Sequence, residues 1–151
     1  MMVDGTHYRT VWLDNTTVKM IDQPRLPHTF DIVELHNHHE TANAISTMIV
    51  RGAGAIGATG ALGMAQAALT ATPERFTEEL EAAAKVLLNT RPTAQNLFYG
   101  VGKVLNAARA ENTIESAIAA AVIAATAVAD EDAEACRLIG EHGAALFRPG
   151  M

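Results

Sequence analysis

No alanine stands before Ala42, and the rest of the chain is crowded with it. Such a break separates a strand-rich part from a helix-rich one, because β-branched and aromatic residues favour strands while alanine is the strongest helix former. It predicts an α+β chain, with a small three-stranded antiparallel sheet in residues 1–37 followed by a bundle of about five helices in residues 40–147. At 151 residues there is room for one domain and no second full-sized one.

The strand-rich part opens with Arg9-Thr-Val-Trp-Leu13 and Thr17-Val-Lys-Met-Ile21 on either side of Asp14-Asn15-Thr16, the pattern of a hairpin around turn formers. After Pro24-Arg25-Leu26-Pro27, Phe30-Asp-Ile-Val-Glu-Leu35 gives a third strand. From Glu40, the spacing of Ala44, Ile45, Met48 and Ile49 lines one helix face and stops at Arg51-Gly52. A second helix is expected from about Ala55 to Leu69, with Gly57, Gly60 and Gly63 permitting close approach of another backbone. Thr72-Pro73-Glu74 reads as the start of a third helix through Leu88. A fourth follows Thr93 to Ala110, and a last one, capped at Asn112 or Thr113, runs towards Phe147.

Charge and composition exclude several functions. A net charge of −6 argues against nucleic acid as a partner. The single cysteine excludes an intrachain disulfide and every multi-cysteine metal framework. The 22 residues from Gly52 to Pro73 carry no formal charge, yet their five glycines and few large apolar residues argue for a buried core helix over a membrane span. With no secretory signal at Met1-Met2-Val3-Asp4-Gly5, the expected location is the cytoplasm.

Gly52-Ala-Gly-Ala-Ile-Gly57 spells G-x-G-x-x-G, but a dinucleotide fingerprint requires a preceding strand and a following βαβ unit, and the surrounding periodicity is helical. What survives is simpler: glycines opening a helix expose backbone N–H groups at its positive end, which holds a phosphate. Arg51 immediately precedes them, and Arg91, extended before Pro92, could bring a second guanidinium.

Three blocks in order then resemble one family, the methylthioribose-1-phosphate isomerases, relatives of the ribose-1,5-bisphosphate isomerases and the translation initiation factor 2B regulatory subunits. Ile21-Asp-Gln-Pro-Arg-Leu-Pro27 is similar to the family's Leu-Asp-Gln-x-x-Leu-Pro. Met48-Ile-Val-Arg-Gly-Ala-Gly-Ala-Ile-Gly57 is similar to Met-x-Val-Arg-Gly-Ala-Pro-Ala-Ile-Gly, and Thr90-Arg-Pro-Thr-Ala-Gln-Asn-Leu97 to a third block. The resemblance implies that Arg51, Gly52, Ala53 and Arg91 bind the phosphate and sugar of a phosphorylated pentose. It implies no cofactor, a homo-oligomer as one form of assembly, and a place in methionine salvage.

Gly54 stands where the isomerase loop commonly has proline, implying a more flexible loop. Family members are over twice as long, with a Rossmann-like second domain that carries a catalytic cysteine and aspartate. No catalytic residue is therefore assigned here, and the missing C-terminal domain or a second chain is an expected partner. The rival readings are a non-catalytic module related to the initiation-factor subunits and part of a ribose-1,5-bisphosphate isomerase.

Other reactive residues receive plainer readings. Cys136 lies in a helical run and reads as an inert, buried helix cysteine. His36, His38 and His39 lead into the first helix; the side chains at 38 and 39 should diverge, so no metal site is assigned. The acidic run Asp130-Glu-Asp132 with Glu134 lacks calcium-loop spacing and reads as a solvated face or a helix break.

Overall fold

The computed structural model describes residues 1–148, 150 and 151, so Pro149 of the closing Arg148-Pro-Gly-Met151 block lies outside the described residues. Strands β1 (Met2–Val3) and β2 (Thr6–His7) form a minimal hairpin of their own. Strands β3 (Val11–Asp14), β4 (Thr17–Ile21) and β5 (Ile32–Leu35) form the expected three-stranded antiparallel sheet, ordered β3-β4-β5. Asp14 pairs with Thr17, so the turn is Asn15-Thr16, and Asn15 takes φ 53°, a left-handed conformation that asparagine tolerates. The register places Val18 opposite Leu35 and Met20 opposite Val33; Val18, Met20 and Leu35 are buried.

Among the described residues five helices follow: α1 (His38–Ser46), α2 (Ala53–Thr70), α3 (Phe76–Asn89), α4 (Gln95–Arg109) and α5 (Ile114–Ala144). Asn37 caps α1, its side chain accepting from the N–H groups of His39 and Glu40, while the Glu40 carboxylate accepts from the N–H of His36. Thr72-Pro73-Glu74 does not open α3 directly. Pro73–Arg75 form a 3-10 turn, and the α-helix begins at Phe76. Thr113, with Ser116 in a capping box, starts α5, which ends three residues short of the expected Phe147.

α2 is the axis of the domain, with 14 of its 18 residues buried. Its glycines let neighbours come within backbone distance. A Cβ at Gly57 would lie 2.6 Å from the carbonyl oxygen of Asn96, and one at Gly100 would lie 2.4 Å from that of Gly57. α2 and α4 thus meet backbone to backbone at their N-terminal ends. The sheet is tied to the helices by Gln66, fully buried in α2. Its amide donates to the carbonyls of Thr16 (3.0 Å) and Leu35 (2.7 Å) and accepts from the Thr41 hydroxyl (2.6 Å). All its partners are internal, so the group is tolerated where an unpaired amide would cost about 1–3 kcal/mol.

Candidate functional site

The helical order brings two loops to one end of the bundle. One joins α1 to α2 and carries Arg51; the other joins α3 to α4 and carries Arg91. The contact of Gly57 with Asn96 places the first turns of α2 and α4 side by side at this end. The region where a dinucleotide fold needs its next strand is occupied by α2 itself, which removes that reading.

α2 begins with Gly52 at its N-cap, where φ is 94° and ψ 135°, a conformation that L side chains rarely adopt. No side chain caps it. The first intrahelical bond is Ile56 N–H to the Gly52 carbonyl at 2.9 Å, which leaves the amides of the first turn without an intrahelical acceptor. Gly52 and Ala53 are exposed. The arrangement is an open, positively polarised helix start on the surface.

A second block holds this loop. Gln23 donates its backbone N–H to the Ile49 carbonyl at 3.2 Å, and its side-chain oxygen accepts from the Arg51 N–H. The Asp22-Gln23 turn and the Arg51 loop are therefore clasped together. Arg91 donates to the thioether of Met48, three residues before Arg51. Sequence reasoning missed Gln23 and Met48 as parts of the site, although both lie inside the blocks it singled out.

Five arginines elsewhere in the domain have a carboxylate partner. Arg9 pairs with Asp130, Arg25 with Asp31, Arg75 with Glu78, Arg109 with Glu81 and Arg137 with Glu134. Among the described residues, neither Arg51 nor Arg91 has a carboxylate partner. Arg51 is exposed and Arg91 half-buried. Arg51 directly precedes the open first turn of α2, Arg91 reaches the same loop through Met48, and the Asp132 carboxylate of α5 lies against that turn at Gly54.

Three expectations need correction. Gly54 does not loosen the loop: it lies within α2, and a Cβ there would fall 1.7 Å from the Asp132 carboxylate of α5, so the room it leaves is filled. Burial pushes the Asp132 carboxyl above the usual aspartate range. Second, the rings of His38 and His39 do not diverge, since their centroids are 4.1 Å apart; burial, then the neighbouring His39 charge, lower the His38 pKa. Among the described residues no group of three or more His, Cys, Asp or Glu could hold a metal ion. Third, Cys136 is exposed where burial was expected. The acidic run breaks nothing, because α5 continues through it. Glu131 accepts from Lys103 and Tyr99, and Glu134 from Arg137. Among the described residues no helix is long and apolar enough to cross a membrane.

The combination of a small antiparallel sheet, a glycine-centred bundle and an arginine loop at the start of its central helix defines a known class. The chain belongs to the Initiation factor 2 subunit family, whose pattern matches residues 49–151. It is 44% identical to the methylthioribose-1-phosphate isomerase of Paramagnetospirillum magneticum over 149 residues, 97% of this chain and 40% of that protein. It superposes on the 5-methylthioribose 1-phosphate isomerase of Pyrococcus horikoshii with a TM-score of 0.85 at 38% identity, covering 92% of this chain and 40% of that one. The translation initiation factor eIF-2B subunit delta of A. fulgidus gives a TM-score of 0.86 at 39% identity, covering 95% and 43%. The chain thus spans about 40% of the length of the curated relatives it matches.

Proposed function

We propose that these 151 residues are the N-terminal domain of an isomerase that converts an aldose 1-phosphate to a ketose 1-phosphate, with methylthioribose 1-phosphate as the substrate. The observation that supports this reading is a pair of arginines with no carboxylate partner among the described residues, Arg51 directly before the open helix start at Gly52 and Ala53, and Arg91 in contact with Met48 of the same loop. A phosphate supplies what that group lacks: oxygens for the first-turn N–H groups and a bidentate acceptor for guanidinium. The isomerase relatives, matched over nearly the whole chain, support the choice of sugar phosphate.

The chemistry divides between this domain and the rest of the protein. Aldose-to-ketose conversion requires a group that takes or gives a proton within hydrogen-bond reach of the sugar. Arginine stays protonated and cannot act as the base. The acids nearest the loop in sequence are otherwise placed. Glu40 caps α1, and Glu74 lies in the 3-10 turn beyond the far end of α2. On this reading the domain binds and orients the phosphate, and a further segment provides proton transfer. The exposed second half of α5, with Ile139 at 71% exposure, is the face offered to that segment.

Turnover of methylthioribose 1-phosphate is the test, measured on the 151-residue chain alone and then joined to the C-terminal part of the Paramagnetospirillum relative. The chain alone should be inactive and the joined protein active, with Arg51→Ala abolishing turnover. Activity in the chain alone would refute the division of labour. Binding of the sugar phosphate with no turnover in the joined protein would favour a regulatory module like the eIF-2B subunit that the fold also matches.

A further inference from the structure

Helix α1 closes in a Schellman motif, in which Ile49 N–H bonds the Ala44 carbonyl at 3.0 Å and Met48 N–H bonds that of Ile45 at 3.2 Å. The motif requires a left-handed residue at its C′ position, and Met48 occupies it with φ 62°. Glycine is the usual occupant because a Cβ is crowded there. Asp4 and Asn15 also have positive φ, but their short polar side chains can bond locally in that conformation, whereas methionine has no such compensation. Glycine would end α1 without this strain, so the Met48 side chain must serve elsewhere.

It reaches Arg91, whose guanidinium donates to the thioether. A thioether is neutral and a weak acceptor, so it orients the guanidinium without compensating its charge. A carboxylate in the same place would pair with the arginine and oppose an incoming anion.

We propose that Met48 is a positioning residue, held in a strained conformation so that its side chain fixes the Arg91 guanidinium, still fully charged, for a phosphate bound at the start of α2. This rests on the reading of Arg51, Gly52, Ala53 and Arg91 as a phosphate site. Releasing Arg91 means that its side chain must be ordered on binding, which weakens affinity by about fivefold.

Titration of the 151-residue chain with inorganic phosphate, followed by amide chemical shifts of residues 51–55, tests the proposal beside a thermal melt of each variant. Met48→Gly should bind phosphate about fivefold more weakly while melting no lower than the native chain. Met48→Leu, which keeps the side-chain bulk but offers the guanidinium no acceptor, should also bind phosphate more weakly than native, by about twofold or more. Unchanged binding in Met48→Gly, or weakened binding only in step with a lowered melting temperature, would overturn the proposal. Loss of binding in Arg51→Ala with Met48→Gly unaffected would overturn it while leaving the phosphate site intact. No effect of either variant would overturn both.

Discussion

α2 and the second half of α5 both carry alanine and glycine, yet one is the buried axis of the domain and the other is largely exposed. Between Ala55 and Ala68 every residue of α2 is buried. In α5 full burial stops at Ala129, and from Asp130 to Ala144 every residue is half-buried or exposed. Charge makes the difference. α2 has no ionisable side chain over its 18 residues, whereas the α5 overhang carries acids and Arg137, which bridges Glu134 and Glu141 along the helix surface. Small residues set how close a neighbour can come; they do not decide whether one comes. Where the surface is uncharged, as in α2, burial removes apolar area from water, and where it is laced with ion pairs, solvent suffices.

The same glycine-to-alanine exchange should therefore have opposite effects in the two regions. Gly57→Ala forces a Cβ to 2.6 Å from a backbone carbonyl that cannot swing away, and should destabilise the fold by about 3 kcal/mol in a urea titration. Next in size is Gln66→Leu, which strands the Thr41 hydroxyl and two carbonyls in the core and should lose about 2 kcal/mol by the same measurement. Gly140→Ala, on the bare half of α5 with nothing within 4 Å, should instead gain about 0.7 kcal/mol from helix propensity. A loss at Gly140 as large as that at Gly57 would erase the contrast between the two helices.

The smallest effect concerns pH. His38 has a folded pKa lowered by burial and by His39, so the unfolded chain takes up the proton first as pH falls. Its contribution is present above the ordinary histidine value of 6.5 and declines as pH drops through the lowered folded value. Thermal melts between pH 7.5 and 5, taken on the native chain and on His38→Gln, should show a shallower decline in the variant, to an extent set by about one proton per molecule.

Much of this was legible in the residues themselves. The alanine boundary located the change from sheet to helices, and Gly57 had to mean close approach, since only a missing Cβ serves at 2.6 Å from a carbonyl. Asp14-Asn-Thr16 announced its turn because asparagine tolerates φ near 53°. The β1–β2 hairpin was not legible, because two-residue strands are too short to show alternation. Nor was the exposure of the α5 overhang, since alternating small residues and charges suit a covered helix and a bare one equally. At the site, Arg51 and Arg91 followed from the glycine loop and the family blocks. The hold of Gln23 on Arg51 and of Met48 on Arg91 depends on contacts 28 and 43 residues apart in sequence, which no local pattern encodes.

The central claim is that the start of α2 binds phosphate through Arg51 and Arg91, and calorimetric titration with methylthioribose 1-phosphate tests it most directly. The native chain should bind one equivalent, and Arg51→Ala and Arg91→Ala should each weaken binding by about tenfold or more, the loss expected for a charged hydrogen-bond donor. Arg137→Ala, on the bare half of α5, should leave binding unchanged. Equal binding by all four proteins, or a loss confined to Arg137→Ala, would contradict the account.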